Sequence, residues 1–212
     1  MKNHICLITP PSPFLLDERV FMHIGILKVA AVLEQQNYKV DMLDLAGVED
    51  CEEVIKAYYE SHSEVVNFGI TATTPQIPAA VDIAVFIRKY FPVSKIILGG
   101  THVSLMHSAA KKEERDILKE NTGRARKDID NLLTYFDTLV AGDGEKAIRG
   151  AIENDIALID ADDPKTDLFL TSEELGELPF PARHLVDVDS YHYDIEGNNA
   201  TSIICQLGCP FK

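Results

Sequence analysis

Glycines and hydroxyl-bearing residues gather in short segments of this sequence, and their types suit the binding of a large polar ligand. Thr71, Thr73 and Thr74 place three hydroxyls within four residues. Glycine lets a planar ligand approach the backbone, and hydroxyls hydrogen-bond amides or phosphate without adding charge. No group of residues suggests a dedicated acid–base pair, so we predict a binding site without catalytic residues.

Four segments supply the candidate binding residues, and each follows an apolar run. The first is the long, proline-rich segment 10–25, and loops of that length in compact domains are usually functional or disordered. The other three begin at or near the ends of later apolar runs. The candidates are Pro11, Ser12, Arg19 and Gly25; Thr71, Thr73 and Thr74; Gly99, Gly100, Thr101, His102, Val103 and Ser104; and Gly142, Gly144 and Glu145.

Five apolar runs alternate with segments of helical period, which predicts an α/β fold. Continuous apolar strands between helices indicate a parallel sheet covered on both faces, and right-handed crossovers give a doubly wound, Rossmann- or flavodoxin-like layout. We therefore expect a five-stranded parallel sheet with helices on both faces. The predicted strands are His4–Thr9, Lys39–Leu45, Val65–Thr71, Lys95–Gly99 and Thr138–Ala141.

Two stretches depart from this regular alternation. Residues 105–136 are longer than one crossover helix needs, and two helical pieces broken at Gly123 are expected there. Residues 153–196 hold thirteen Asp and Glu against Lys165 and Arg183, which is typical of a solvated surface or linker. We predict an α/β domain over residues 1–155 and an acidic linker over 156–198.

The predicted fold places the candidate segments together. In open parallel sheets, ligands bind beyond the carboxyl ends of the strands, where the strand order reverses. Taken singly, each glycine is better explained as part of a tight βα turn. Four polar, glycine-containing loops at the same edge favour a ligand crevice.

Composition excludes several classes of function. The formal net charge is −14, whereas nucleic-acid binding requires a basic surface. No apolar run approaches the ~20 residues that span a bilayer, and the N-terminus does not resemble a signal peptide. The four cysteines are scattered, which argues against a disulfide framework. We expect a cytoplasmic protein that binds neither membrane nor nucleic acid.

Two other ligand classes fit the motifs less well. Gly142-Asp-Gly-Glu-Lys-Ala147 matches a dinucleotide-binding fingerprint, but that motif belongs after the first strand and here follows the last. A phosphoacceptor receiver domain would need an aspartate at the end of the third strand, where this sequence has Thr71.

In order and spacing, the sequence resembles the N-terminal domain of cobalamin-binding radical SAM proteins. The resemblance covers nearly the whole chain. It rests on Ile8-Thr-Pro-Pro11, on His23-Ile-Gly-Ile-Leu-Lys-Val-Ala-Ala-Val-Leu33, on Gly69-Ile-Thr-Ala-Thr-Thr-Pro75, on Leu98-Gly-Gly-Thr-His-Val103 and on Val140-Ala-Gly-Asp-Gly-Glu145. Leu178-Pro-Phe-Pro-Ala-Arg183 is similar to the linker of that family, and Cys209-Pro-Phe-Lys212 to the start of its C-x3-C-x2-C motif.

The resemblance implies that this chain binds cobalamin and presents it to a radical SAM domain, of which residues 199–212 would be the beginning. Cys209 would then be a [4Fe–4S] ligand in the full-length protein only, where the cluster and S-adenosylmethionine act together. The parent enzyme would be a methyltransferase or a related radical SAM enzyme, and the fragment itself would not be catalytic.

One departure from the wider cobalamin-binding superfamily concerns the cobalt ligand. Its best-known members carry D-x-H-x-x-G in the first loop, and alignment on Gly25 places Val20 and Met22 at the Asp and His positions. His23 is one residue out of register, so its side chain is expected to point elsewhere. We predict base-off cobalamin without a histidine ligand from the protein.

Two alternatives stay open at the level of sequence. A stand-alone corrinoid carrier or sensor would carry D-x-H-x-x-G, which is absent here. A domain that keeps the fold but has lost cobalamin would serve as an interaction module.

Overall fold

The computed structural model describes residues 3–115 and 123–204. Its centre is a sheet of six parallel strands in the order β2-β1-β3-β4-β5-β6. The strands are β1 (His4–Thr9), β2 (Lys39–Asp44), β3 (Asn67–Thr71), β4 (Lys95–Gly99), β5 (Thr138–Ala141) and β6 (Leu158–Asp160).

The prediction of a parallel α/β sheet is confirmed, but the prediction of five strands is wrong. The sixth strand, β6, pairs with β5 from Leu139↔Leu158 to Ala141↔Asp160. It has three residues, of which Ile159 alone is buried, and it lies in the acidic stretch. So short a strand at a sheet edge lacks the continuous apolar run that marks the central strands.

The strand order reverses between β1 and β3, since β2 lies on one side of β1 and every later strand lies on the other. In this region Leu7 pairs with Gly69, and Gly69 pairs in turn with Ile97. Parallel strands deliver all their carboxyl ends to one edge of the sheet, here called the carboxyl edge. Loops that follow β1, β3, β4 and β5 therefore meet there.

In the described residues, seven α-helices accompany the strands: α1 (Ile24–Gln35), α2 (Cys51–His62), α3 (Ile77–Tyr90), α4 (Thr101–Arg115), α5 (Arg124–Leu132), α6 (Gly144–Glu153) and α7 (Ser172–Glu177). Of the two predicted helical pieces, Arg124–Tyr135 matches α5, whereas Lys111–Glu120 overlaps α4 only at residues 111–115, because α4 already begins at Thr101. Gly123 is the N-cap of α5, and residues 116–122 lie outside the described part of the chain.

Alternate side chains of the strands face two separate cores. Cys6, Phe68 and Leu98 pack against α2, α3, α4 and α5. Leu7, Ile97 and Val140 face the opposite side, where α1 and α6 pack. Burial on both faces explains why the central strands are apolar throughout.

Beyond β6, the chain returns across α1. We name residues 182–193 the docked segment. Ala182 donates its backbone N–H to the Leu27 carbonyl at 2.9 Å, and His184 lies 2.9 Å from the Glu34 carboxylate. A short hairpin of β7 (Asp194–Ile195) and β8 (Asn198–Asn199) follows. Within residues 3–115 and 123–204, no helix is long and apolar enough to cross a membrane.

Candidate functional site

A cavity of about 530 Å³ opens at the carboxyl edge and extends between the sheet and helices α1 and α6. Its floor is a row of residues from four adjacent strands that all face the α1–α6 side. They are Leu7 of β1, Gly69 of β3, Ile97 of β4 and Val140 of β5. The volume lies within the range of sites for small molecules and cofactors.

Gly69 makes this floor concave. It lies in register between Leu7 and Ile97 and has no side chain, so the floor there is a shallow trough over which the Leu7 side chain partly leans. A Cβ atom at this position would lie 2.7 Å from Leu7 Cδ2 and 3.6 Å from Ile5 Cδ1. Glycine inside a strand often marks a place where a ligand approaches the backbone closely.

Helices α1 and α6 form the opposite wall. Ile26 and Val29 of α1 and Ile148 of α6 line the cavity, and Gly144 at the start of α6 faces Val29. A Cβ on Gly144 would come within 3.0 Å of Val29 Cγ2. The interior of the cavity is therefore apolar. Gly69 lies at its floor, and Gly144 lets α6 pack closely against Val29 of α1.

The rim is polar and comes from the loops predicted from the sequence. The structure brings Gly25, Thr71, Thr73, Gly99, Gly100, Thr101, Ser104, Gly142, Gly144 and Glu145 to the cavity wall. Two of the glycines have left-handed backbone, with φ of 99° at Gly100 and 89° at Gly142. A Cβ on either would clash with a neighbouring backbone at 2.7 Å or less, so these loops pack as closely as glycine alone permits.

Ser104 joins two of these loops. Its hydroxyl accepts a hydrogen bond from the Gly142 N–H at 2.8 Å and donates one to the Gly100 carbonyl at 3.3 Å. The loops after β4 and β5 are thereby held at a fixed separation.

Arg19 lies outside the cavity wall, although it was predicted to contact the cofactor. Its guanidinium pairs with Asp44 at 3.1 Å, donates to Ser190 Oγ at 2.7 Å and lies 5.4 Å from the centre of the Tyr191 ring. The side chain thus joins the end of β2 to the docked segment, and its guanidinium makes its contacts within the protein.

The remaining predicted residues do not line the cavity. His102 Nδ1 is 3.1 Å from Thr74 Oγ1, which ties the start of α4 to the loop after β3. Val103 is fully buried in the core against α2–α5. Ser12 is buried, and its N–H donates to the Glu18 carboxylate, while Pro11 beside it is half-buried.

Several lining residues were not predicted from the sequence. Gln76, Asp143 and Asp162 lie on the wall, and so does His23, which was expected to point elsewhere. The floor was missed as well, although a glycine inside a buried strand was a readable signal at Gly69.

Burial sets the ionisation of the groups around the cavity. The pKa of His23 is lowered, because burial disfavours the charged ring more than Asp44 and Glu18 favour it. Burial likewise raises the pKa of Asp143, with Asp162 adding to the effect.

Glu145 is the most buried acid at the site, with 8% of its surface exposed. Burial raises its pKa, and the carboxylate of Asp143 raises it further, against a hydrogen bond from its own backbone and the charge of Lys28. The site therefore favours neutral groups over charged ones.

The described residues contain no candidate metal site. In the part of the chain that the structure describes, no three His, Cys, Asp or Glu residues could hold a metal ion together. Cys209, the predicted cluster ligand, and Cys205 lie outside the described residues.

An open parallel sheet with a ligand-sized crevice at its switch point defines a binding domain of the doubly wound class. A family model described as the B12 binding domain matches residues 19–129, just over half of the chain. The chain belongs to this family. No curated protein matches it.

Solved structures with the same fold include a radical S-adenosylmethionine methyltransferase, TsrM, from Kitasatospora setae, with tryptophan substrate and a SAM analogue bound. It is 16% identical with a TM-score of 0.51, and the match covers 71% of this chain and 25% of that one. A second structure of TsrM, with cobalamin and a [4Fe–4S] cluster bound, is 16% identical with a TM-score of 0.41 and coverages of 54% and 21%. The present chain thus spans about a quarter of the length of TsrM.

Proposed function

We propose that the cavity between the sheet and helices α1 and α6 binds cobalamin. The observation that carries this proposal is the glycine floor at Gly69, since an apolar trough closed by polar loops suits a ligand with an apolar base and many amides. Membership of the B12-binding family supports it independently. The residues present fit the group, because the cavity offers an apolar floor for the base and a rim of threonine hydroxyls for the amides.

Each part of the site has a separate role in this proposal. Leu7, Ile97 and Val140 supply an apolar surface for the dimethylbenzimidazole base. The hydroxyls of Thr71, Thr73 and Thr101 hydrogen-bond the polar groups of the ligand at the rim. Bound cobalamin would supply cobalt–carbon chemistry, while this chain binds and orients it.

We propose that cobalamin binds base-off, with no histidine ligand. Met22 stands where related domains carry the ligating histidine, and an apolar cavity favours a displaced base. His23 is the one imidazole on the wall, and its lowered pKa keeps it neutral near pH 7. It is the residue that an experiment on cobalt ligation has to test.

Electron paramagnetic resonance of the bound cob(II)alamin state tests the ligation. We expect no nitrogen splitting of the cobalt signal and no change on replacing His23→Ala. A nitrogen splitting that disappears in His23→Ala would overturn ligand-free binding and leave corrinoid binding itself intact.

The proposal extends to a parent enzyme. A radical SAM domain, of which residues 199–212 would be the beginning, would receive the cobalamin that residues 1–155 hold, across the linker 156–198. Cys209 would then ligate a [4Fe–4S] cluster, and S-adenosylmethionine would bind there. A methyltransferase is the activity we propose for this full-length enzyme, and a cytoplasmic location suits its reduced cluster and the free thiols Cys6 and Cys51.

Gel filtration after incubation with hydroxocobalamin tests the binding. We expect the corrinoid absorbance to elute with the protein. Val29→Phe places a larger side chain on the cavity wall and should abolish this co-elution. Val85→Phe is the matched control, because Val85 is an exposed helical valine on α3 away from the cavity, and it should bind normally.

A wild-type chain that elutes without corrinoid would overturn the proposal and favour an interaction module. Equal retention by Val29→Phe and the wild type would instead contradict the position that we assign to the ligand.

A further inference from the structure

A buried amide, that of Gln76, lies where two loops of the crevice meet. Only 2% of this residue is exposed, and it is part of the cavity wall. Its Nε2 donates to the Pro10 carbonyl at 2.8 Å. Its Oε1 accepts from the Thr73 N–H at 3.0 Å and from the Thr73 hydroxyl at 2.9 Å.

The two ends of this amide serve different loops. Thr73 belongs to the loop after β3 and caps the short helical turn Thr74–Gln76 that leads into α3. Pro10 directly follows β1 and begins residues 10–23, which we name the first loop. Strands β1 and β3 are neighbours at the point where the strand order reverses, so Gln76 spans the switch point itself.

The bond to Pro10 fixes the direction in which the first loop leaves the sheet. Proline has no N–H, so the backbone at Pro10 and Pro11 cannot be anchored by its own donors. The Pro10 carbonyl anchors the backbone instead, because it accepts the hydrogen bond from Gln76 Nε2. The far end of the same loop carries His23 and leads into Gly25, both on the cavity wall.

We infer that Gln76 is a positioning residue that sets the mouth of the crevice for the corrinoid by holding the first loop against the loop after β3. This inference rests on the proposed function. A purely structural role would be the cap on the turn Thr74–Gln76, which uses the Oε1 end of the amide alone. The two roles are therefore separable by chemistry.

Gln76→Glu separates them. A carboxylate still accepts both hydrogen bonds from Thr73, and glutamate is a normal residue at this position of a capping box. An ionised carboxylate cannot donate to the Pro10 carbonyl, and the two oxygens repel each other. When the carboxyl group is protonated it can donate again, so lowering the pH should restore the lost bond.

Asn67→Asp is the matched control. Asn67 lies at the start of β3 and, like Gln76, is buried. Its Nδ2 donates a hydrogen bond to the His4 carbonyl of β1 at 3.0 Å. It stands at the opposite end of the same strand pair. The two substitutions make the same chemical change, one beside the crevice and one far from it.

Affinity for hydroxocobalamin is the first readout, measured for each variant against the wild type at the same pH so that the chemistry of the corrinoid cancels. We expect Gln76→Glu to bind about tenfold more weakly at pH 8, which corresponds to about 1.4 kcal/mol. Burial raises the pKa of a carboxyl at this position, so at pH 5.5 it should be largely protonated and the deficit should shrink to about threefold or less. Asn67→Asp should bind like the wild type at both pH values.

Hydrogen exchange of the ligand-free proteins is the second readout. Gln76→Glu should accelerate exchange in the first loop at pH 8, including at the Leu15 N–H that donates to the Ser12 carbonyl. Asn67→Asp should accelerate exchange at the other end of β1 and β3 instead. This measurement needs no corrinoid.

The two readouts separate the possible failures. A wild type that binds no hydroxocobalamin overturns the proposed function, while exchange still decides whether Gln76 orders the first loop. Unchanged first-loop exchange in Gln76→Glu overturns the inference. Faster exchange with unchanged affinity, or a deficit that is equal at both pH values, also overturns it, because the bond to Pro10 would then not govern the ligand.

Discussion

The two edges of the sheet use their polar residues in opposite ways. At the amino edge, His4 lies 2.6 Å from the Asp41 carboxylate, and Tyr58 donates to the same carboxylate at 2.5 Å. His62 stacks on the Tyr58 ring at 4.4 Å. At the carboxyl edge, threonines and glycines border a cavity instead.

The amino edge contributes mainly to stability, whereas the carboxyl edge has room for a ligand. Side chains that satisfy one another at the amino edge lock β1, β2 and α2 together. At the carboxyl edge, Ser104 and Gln76 tie the loops to one another, and the loops so held surround an open cavity rather than a filled core. Substitutions at the two edges should therefore separate stability from binding.

The largest effect is expected at the amino edge. Asp41→Ala removes the partner of His4, which is 3% exposed, and leaves a buried ring nitrogen and the Tyr58 hydroxyl without their acceptor. We expect a loss of about 2 to 3 kcal/mol in the free energy of unfolding, measured by urea denaturation. Affinity for hydroxocobalamin should be unchanged once the protein is folded.

A matched pair on the surface provides the control for this effect. Asp17 and His192 also form a carboxylate–imidazole pair, at 2.5 Å, but both side chains are largely exposed. Asp17→Ala should cost clearly less than Asp41→Ala, because solvent screens an exposed pair. Equal losses at the two sites would contradict the role we give to burial at the amino edge.

The next effect belongs to the cavity floor. Gly69→Ala places a methyl group against Leu7 and should weaken hydroxocobalamin binding about tenfold, measured by titration of the corrinoid absorbance. Gly150→Ala in α6 is the control, since a Cβ there meets nothing within 4 Å. It should leave affinity unchanged and raise stability slightly. An unchanged affinity in Gly69→Ala would exclude the trough as the ligand site.

A smaller effect is expected from the buried acid at the rim. Because the pKa of Glu145 is raised, the ionised side chain destabilises the fold at neutral pH, and Glu145→Gln should stabilise it by about 0.5 to 1 kcal/mol. Glu153→Gln, in the same helix, loses a pair with Arg149 and should give no gain. A destabilised Glu145→Gln protein would contradict this account, and thermal denaturation decides it.

The pH dependence should have opposite signs at the two edges. Burial raises the pKa of Asp41, but the hydrogen bonds from Tyr58 and His4 and the charges of His4 and Lys39 outweigh it, so the net pKa is lowered. Its contribution to stability is present at neutral pH and is lost as the pH falls through the lowered pKa.

For Glu145 the native state takes up its proton first, because its pKa is raised. The wild type therefore gains stability as the pH falls through that pKa, and the advantage of Glu145→Gln shrinks. Thermal denaturation of Asp41→Asn and Glu145→Gln between pH 2 and pH 8 measures both trends, because Asp41 protonates only below its ordinary pKa. Parallel trends in the two variants would remove the contrast between the edges.

Sequence predicts most of this architecture because the central strands are buried on both faces. Lys95–Gly99 and Thr138–Ala141 coincide with the observed strands, since a continuous apolar run has no other arrangement between helices. Strand β6 was not predicted, because this short edge strand buries a single apolar residue, Ile159, and lies in an acidic stretch of the sequence.

The candidate site is predictable only in part. The loops are visible as glycine and threonine clusters, and most of their predicted residues lie on the cavity wall. Which side chains are free to bind depends on tertiary partners, and Arg19 is an example because its partners Asp44 and Ser190 are distant in sequence. The role of Gln76 likewise depends on contact with Pro10, 66 residues away.

The docked segment has a practical consequence for anyone who shortens this protein. The B12-domain match ends at residue 129, and the sheet is complete at residue 160. A chain cut there would strip the covering from the outer side of α1, uncover the Leu27 carbonyl and leave Arg19 without Ser190 and Tyr191. Helix α1 carries one wall of the crevice, and Ile204 lines the crevice as well, so a useful short version of this domain extends at least through residue 204.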